Sequence, residues 1–358
     1  MRVAIVNDMA MALETLRRVV QSRADLSVAW TAADGASAVE RCKRDTPDLI
    51  LMDMIMPGVD GVEATRRIMR ECPCAILVVT ATVDGNAGKV YEALGSGALD
   101  AVQTPVLGVS GNLRGAEELL KKIEHVRLLH RLKATATTTT PRAATPAVAL
   151  PPVGTARATG SSFIAIGAST GGPQAVAECI GSIPASVDRP ILVVQHIGEE
   201  FVAGFAEWLA RGTRRPVKLV EARVTPEPRV IYVAAKAKHL VAYSNGDIGL
   251  EDEPRDHLHK PSVDVLFDSL ATSGANGVAA LLTGMGRDGA QGLLALRNAG
   301  WWTITQDEAT SVVWGMPGEA TRIGAACETL AIGAIGPAIA TGFARQAVRG
   351  NVPRGGSR

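Results

Sequence analysis

No uninterrupted apolar run in this chain approaches the roughly 20 residues that a membrane-spanning helix requires. The most apolar late stretch, Leu330 to Ala344, is broken by Gly333, Gly336, Pro337 and Gly342, so no direct membrane insertion is expected. An excess of one charge sign is missing too. Lys and Arg number 37 against 36 Asp and Glu, a net +1, which leaves no global field to attract nucleic acid or an anionic surface. Cysteine is sparse: Cys42, Cys72, Cys74, Cys179 and Cys327 are odd in number and form no CxxC pair. Reduced, buried thiols in a cytosol account for them most economically. The start, Met1-Arg-Val-Ala-Ile-Val-Asn-Asp8, enters a strand pattern directly and leaves no room for a signal peptide. A cytoplasmic location is expected.

What is present is enough apolar material for two cores, 47% hydrophobic against 20% charged over 358 residues. Residues 1–133 alternate strand and helix. Strand-length apolar runs occur at Val3–Val6, Leu26–Trp30, Leu49–Met52, Ile76–Val79 and Leu99–Val102, with helical spacing between them, as at Leu13, Leu16 and Val20. Five βα units with near-continuous apolar strands predict a doubly wound parallel sheet, whose ligands sit beyond the C-terminal strand ends. The residues at those ends are Asn7-Asp8, Asp53, Thr80 and Gln103-Thr104-Pro105. Residues 134–160 are Thr, Ala and Pro rich with no acid and no aromatic residue, a composition that cannot offset its own ordering entropy and predicts a linker. The expected division is a first domain over 1–125, a helix end and flexible linker over 126–160, a second domain over 161–345 and a disordered tail over 346–358.

The second domain resumes the βα rhythm. Its key stretch is Phe163-Ile-Ala-Ile-Gly-Ala-Ser-Thr-Gly-Gly-Pro173: a buried strand, a glycine-rich turn, then Pro173 as the first position of a helix. Gly167-x-Ser169-x-Gly171 fits a nucleophile elbow, and taken alone fits equally a tight βα turn with an incidental serine. His196 follows the strand run Pro190–Gln195, and Asp288 follows Val278–Leu282 in Thr283-Gly-Met-Gly-Arg-Asp288. If those strands are neighbours, the three side chains converge at one sheet edge. There a serine would gain a base, the base an orienting carboxylate. Glycines at 284 and 286 would let backbone N–H groups approach an oxyanion. The order Ser, His, Asp differs from the Ser, Asp/Glu, His of α/β-hydrolases. A P-loop is improbable, since Pro173 stands where its lysine must be. His257 and His259 are weak metal-ligand candidates, better placed in a loop or substrate groove. His125, His130 and His239 are expected to be solvated. Asp307, Glu308 and Asp264 compete for the acid role, with Asp264 better suited to buttress a helix start.

Two resemblances extend this. Asp53-Met-Ile-Met-Pro57-Gly-Val-Asp-Gly61, with Asp8, Thr80 and Pro105 at strand ends, resembles a response-regulator receiver domain of flavodoxin-like fold. The resemblance implies that Asp53 accepts a phosphoryl group from a chemotaxis-type histidine kinase, that Asp8 and Asp53 hold Mg²⁺, and that the Thr80 hydroxyl reorients toward the phosphoryl group. Asn7 stands where the family usually has a second acid, so weakened Mg²⁺ binding is expected. Thr104 stands where it has a lysine, so a weakened switch is expected.

Ile164-Ala-Ile-Gly-Ala-Ser-Thr-Gly-Gly172, Gln195-His196, His259-Lys-Pro-Ser-Val-Asp-Val-Leu-Phe267, Leu282-Thr-Gly-Met-Gly-Arg-Asp-Gly289 and Gly315-Met-Pro317 resemble the chemotaxis protein-glutamate methylesterase family, whose catalytic domain is doubly wound α/β with a mainly parallel sheet. The resemblance implies a triad of Ser169, His196 and Asp288, with Thr170, Met285 and His259 in oxyanion stabilisation and substrate binding. It implies hydrolysis of glutamate γ-methyl esters on methyl-accepting chemoreceptors, with release of methanol, deamidation of receptor glutamines, and no cofactor for the ester chemistry. The receiver would cover the site until Asp53 is phosphorylated. The Asn7-Asp8-Met9 start and the Thr104-Pro105 ending look more like methylesterases of Wsp-type surface-sensing arrays than those of flagellar chemotaxis. The alternatives are a non-catalytic regulator that binds receptors or kinase as a phosphoryl sink and, more distantly, a metallohydrolase using His257 and His259. A DNA-binding output is disfavoured by the absence of a basic recognition helix.

Overall fold

A computed structural model describes residues 1–81, 87–107, 113–136, 161–254, 257 and 259–350. The chain divides into two compact units between Ala147 and Val148, inside the stretch expected to be a linker, of which residues 137–160 lie outside the described residues.

The first unit is a five-stranded parallel sheet. Its strands are β1 (Arg2–Val6), β2 (Ser27–Ala32), β3 (Leu49–Met52), β4 (Ala75–Thr80) and β5 (Asp100–Gln103), in the order β2-β1-β3-β4-β5. The interior strands β1, β3 and β4 are apolar on both faces because helices cover both. Helices α1 (Ala10–Gln21) and α5 (Ala116–Ala136) close one face, where Leu16, Val19, Leu119 and Ile123 meet Val3, Ile5, Leu51 and Leu77. Helices α2 (Gly35–Arg44), α3 (Gly61–Glu71) and α4 (Ala87–Gly95) pack one against the next on the other. Asp34 and Asp60 cap α2 and α3 by accepting the N–H groups of Ser37 and Glu63 at 2.8 and 3.0 Å, a contact that contributes about 1 kcal/mol to a helix. A short antiparallel pair, β6 (Val106–Leu107) and β7 (Leu113–Arg114), follows β5. His125 is half-buried rather than solvated, and burial pushes its imidazole down. The His130 side chain lies outside the described residues.

The second unit holds seven parallel strands in the order β10-β11-β9-β8-β14-β15-β16. They are β8 (Ser162–Ala168), β9 (Ile191–Gln195), β10 (Val217–Val220), β11 (Ile231–Ala234), β14 (Asn276–Leu281), β15 (Trp302–Gln306) and β16 (Glu328–Leu330). An antiparallel hairpin, β12 (His239–Ala242) with β13 (Ile248–Glu251), stands apart from the sheet. Helices α6 (Gly172–Gly181), α7 (Glu199–Thr213) and α11 (Ile332–Gly350) lie on one face. On the other face, α8 (Val263–Thr272), α9 (Ala290–Asn298) and α10 (Met316–Arg322) pack Leu266, Phe267, Leu293 and Met316 against Phe163, Ala165, Leu192 and Ala279. Each such fully buried aliphatic or aromatic side chain contributes about 1.5–3 kcal/mol. Helix α11 contains Pro337 and continues to Gly350, five residues into the stretch expected to be a disordered tail. Arg345-Gln-Ala-Val-Arg349 are residues a helix accommodates, and Gly350 and Pro353 are the first strong breakers after them. All five cysteines are free; Cys42 and Cys179 are buried as expected, and Cys72, Cys74 and Cys327 are half-buried.

Candidate active site

Ser169, His196 and Asp288 follow strands β8, β9 and β14, and these three are adjacent at the centre of the sheet. The pairing of β8 with β9 ends at Ala168 opposite Gln195, so Ser169 and His196 each stand one residue beyond it. The His196 N–H donates to the Ala168 carbonyl at 3.1 Å, and the Ser169 N–H to the Thr283 carbonyl at 3.0 Å. The serine turn is thereby bound to its neighbour on each side.

The turn needs its glycines. Gly171 caps α6 at φ 74°, a left-handed conformation that costs an L-residue with a Cβ about 1–2 kcal/mol, and α6 begins at Gly172 with Pro173 in its first turn, one residue before the sequence expectation. Gln195, buried, donates from Nε2 to the Ser169 carbonyl at 2.8 Å. This support was not anticipated from sequence; a polar residue ending an otherwise apolar strand run was the available signal.

His196 Nε2 lies 2.8 Å from Asp288 Oδ2, with only 8% of the His196 side chain and 12% of the Asp288 side chain exposed. Burial alone would raise the Asp288 pKa, but the hydrogen bond and charge of His196 and the N–H groups of Asp264 and Val263 hold it well below the usual carboxylate range. An ionised carboxylate only accepts, so Nε2 carries the proton. The other nitrogen of the ring, Nδ1, is buried without a partner among the described residues. The ring of His259 stacks on that of His196, centroids 4.1 Å apart and planes 19° from parallel.

Asp288 itself is gripped by the start of α8. Its Oδ1 accepts from Ser262 Oγ at 2.8 Å and the Asp264 N–H at 3.0 Å, and its Oδ2 from the Val263 N–H at 2.8 Å. A helix N-terminus stabilises negative charge through its free N–H groups and its dipole. Asp264, the other candidate acid on this helix, instead has its Oδ1 accepting the Gly292 N–H of α9 at 2.7 Å. Asp307 is occupied in a turn, accepting from the N–H and hydroxyl of Thr310 at 3.0 and 2.6 Å.

On the far side of Ser169 the 283–286 loop is built to hold its backbone open. Thr283 takes Gln306 Oε1 on its N–H at 2.8 Å, and its hydroxyl donates to the Thr170 carbonyl at 3.0 Å. The Gly284 carbonyl accepts from the N–H groups of Gly315 and Met316 at 3.1 and 2.8 Å. With these groups engaged, the N–H groups of Thr170 and Met285 find no backbone carbonyl among the described residues.

His257 and His259 do not form a metal cluster: no group of three or more His, Cys, Asp or Glu suited to a metal occurs among the described residues. His257 Nδ1 instead faces Ser262 Oγ at 3.3 Å. His239, expected to be solvated beside Lys236-Ala-Lys238, is fully buried. Its strand pairs with β13 and packs beneath α8.

In the first unit, Asp53 is buried and its Oδ1 accepts the Met54 N–H at 2.7 Å. Burial raises its pKa, the Met54 and Ile55 N–H groups oppose this, and the charge of Asp8 adds to it. Two carboxylates in mutual repulsion at a strand edge are a donor set that suits Mg²⁺, which takes few protein oxygens and keeps its waters. Asn7 is buried, and its Oδ1 accepts the Met9 N–H at 2.9 Å at the entry to α1. Thr80 is buried, and its carbonyl accepts the Thr104 N–H at 2.8 Å. The Thr104 hydroxyl is buried without a partner among the described residues.

Comparison with known proteins is consistent across both units. Residues 164–339 match the CheB methylesterase family, and residues 3–108 the response regulator receiver domain. The chain is 47% identical, over 95% of its length and 98% of the relative's, to a protein-glutamate methylesterase/protein-glutamine glutaminase of Mesorhizobium japonicum. It is 44% identical, over 96% of its length and 100% of the relative's, to protein-glutamate methylesterase/protein-glutamine glutaminase 3 of Pseudomonas aeruginosa. Among solved structures it is similar to the Thermotoga maritima CheB methylesterase catalytic domain, at 30% identity and a TM-score of 0.47, over 51% of this chain and 98% of that one. With this identity sustained over nearly the full length of its relatives, the chain belongs to the CheB methylesterase family and carries a receiver domain ahead of its esterase domain.

Proposed function

We propose that the protein is a phosphorylation-regulated serine esterase that hydrolyses glutamate γ-methyl esters on methyl-accepting chemoreceptors and deamidates receptor glutamines, with Ser169, His196 and Asp288 as its triad. The observation that carries this is the state of His196: Nε2–H is held by Asp288, while the buried Nδ1 has no partner among the described residues. Nδ1 is then the nitrogen that takes the proton of Ser169 as Oγ attacks the ester carbonyl. The imidazolium that forms is stabilised by Asp288. The oxyanion is received by the N–H groups of Thr170 and Met285, which lack backbone acceptors among the described residues. Collapse breaks the C–O bond to the methoxide, which leaves as methanol with the proton from Nδ1. Water then gives a proton to Nδ1 as it attacks the acyl-enzyme; collapse breaks the C–Oγ bond, Ser169 Oγ takes the proton back from Nδ1, and the product leaves as the glutamate carboxylate. With a glutamine substrate the leaving group is ammonia. The stacked ring of His259 lines the substrate side.

The receiver carries the control. Asp53 is the phosphoryl acceptor, from a chemotaxis-type histidine kinase, and Thr80 the residue that responds to it. Asp8 and Asp53 would hold Mg²⁺, which when bound offsets the negative charge of the phosphoryl oxygens. The altered neighbours Asn7 and Thr104 leave this site with one carboxylate and one ammonium fewer than the family pattern, which predicts weak metal binding and a modest switch.

The test is methanol release from receptor-containing membranes, measured with and without a small-molecule phosphodonor and Mg²⁺. Release that is stimulated by the phosphodonor and lost in Ser169→Ala is expected. Undiminished release by Ser169→Ala would sink the triad assignment.

A further inference from the structure

The grip on Asp288 includes a side chain to which the reaction as written gives no part. Ser262 is the N-cap of α8 and is 1% exposed. As a cap it accepts the Val265 N–H, but at 3.4 Å, a long contact, whereas its single proton is donated to Asp288 Oδ1 at 2.8 Å. A cap needs only an acceptor; the shorter bond is the one a cap does not need. Ser262 is in turn anchored from β12. Its N–H donates to His239 Nδ1 at 3.2 Å, so that nitrogen is bare and Nε2–H donates to the Pro254 carbonyl at 3.0 Å. Both ring nitrogens of a fully buried histidine are thus used, and burial lowers its basicity. His239 stays neutral and its anchoring role is insensitive to pH near neutrality.

Each Asp288 oxygen consequently has two donors: Ser262 hydroxyl and Asp264 N–H on Oδ1, Val263 N–H and His196 on Oδ2. Three of the four come from one helix start, and they fix the carboxylate plane before His196 is considered. We propose that Ser262, anchored by His239, is a positioning residue for the esterase reaction: its hydroxyl sets the Asp288 carboxylate so that Oδ2 meets His196 Nε2–H and leaves Nδ1 as the base. It acts through Asp288 and touches no reacting atom. The proposal rests on the triad assignment made above.

The experiment compares Ser262→Gly, Ser262→Ala and Ser262→Thr in the full chain. Gly is nearly as good an N-cap as Ser and Ala a poor one, while neither can donate to Asp288. Both should lower kcat for methanol release by roughly 10- to 100-fold, the cost of a small misplacement near the reacting groups. KM should change by less than about twofold. Ser262→Thr, which keeps the hydroxyl, should restore kcat. The second readout needs no turnover: in ¹⁵N-histidine-labelled protein the His196 Nε2 proton bound to Asp288 should give a far-downfield NMR resonance, shifted or broadened in the Gly and Ala variants and retained in Thr. If kcat instead follows thermal stability, with Ala impaired and Gly close to the parent, Ser262 is only a cap and the proposal fails. An unmoved resonance in both variants overturns it equally. Full methanol release by Ser169→Ala would defeat the triad assignment, while the resonance would still report whether Ser262 orders the His196–Asp288 pair.

Discussion

His196 and Asp288, 92 residues apart in sequence, meet through a 2.8 Å bond between Nε2 and Oδ2. Because Asp288 also accepts three donors from the start of α8, it has no free lone pair to spare for a substituent that donates. Asp288→Asn would present an amide N–H to one of these donors and force either a vacant bond or the other histidine tautomer. A loss of kcat of about 10³- to 10⁴-fold is expected, with KM little changed, in steady-state methanol release. A loss below tenfold would mean that Asp288 does not orient the base.

Gly284 tests the other wall of the site. A Cβ there would lie 2.8 Å from Ser169 Cβ and closer still to Met316 Sδ. The serine turn cannot retreat, since the Ser169 N–H is tied to Thr283 and its carbonyl to Gln195. Gly284→Ala should destabilise the esterase unit by about 1–3 kcal/mol and abolish most activity, read by denaturant unfolding and ester hydrolysis together. Wild-type activity in this variant would show that the loop yields.

Acid titration should reveal Asp264. Burial pushes its carboxyl up to about 6, against the Gly292 N–H and with the Asp288 charge adding. An acid whose pKa is raised on folding binds more protons in the native state, so its contribution to stability is full below about pH 4 and is lost as pH rises toward about 6. Asp264→Asn keeps a carbonyl for Gly292 and removes the charge. Its melting temperature relative to the parent should therefore be more favourable at pH 7.5 than at pH 4. An equal difference at both pH values would show that Asp264 titrates normally.

Chelation should separate the two units' chemistry. With EDTA present, phosphoryl incorporation from a small-molecule donor should disappear, as it should in Asp53→Asn with Mg²⁺. Unstimulated ester hydrolysis should persist in both cases. Phosphoryl incorporation into Asp53→Asn would place the acceptor elsewhere.

Much of this arrangement is legible in the sequence because interior strands of a parallel sheet are continuous apolar runs. The runs at β1, β3, β4, β8, β9 and β14 are of that kind, and residues just past their ends are the ones that ligands meet. The edges are harder. Val-Lys-Leu-Val of β10 and Glu-Thr-Leu of β16 carry polar residues because one side of each lacks a neighbour, and they resemble loops. His239 misleads for a different reason: Lys236 and Lys238 beside it suggest solvent, but every residue of β12 from His239 to Ala242 is buried, and α8 packs against the strand. Ser262 had a usable signal, a serine just before Val263-Asp-Val-Leu-Phe267, with an acid in the first turn, that marks a helix start. That it also donates to a residue 26 positions away is a tertiary fact that no local pattern contains.

The placement of β9, β8 and β14 at the centre of seven strands has a consequence for how the esterase unit breathes. Local opening in a sheet begins at its margins, where strands are hydrogen-bonded on one side only. Here the margins are β10 and β16, and one strand on each side, β11 and β15, separates them from the three that lead to Ser169, His196 and Asp288. Fraying at either border can proceed without disturbing the register among the central three. Amide hydrogen exchange should accordingly find the slowest protons in Ile164–Ile166, Leu192–Val194 and Val278–Ala280, directly beneath the proposed triad, so that its strand framework is lost only with global unfolding of the unit.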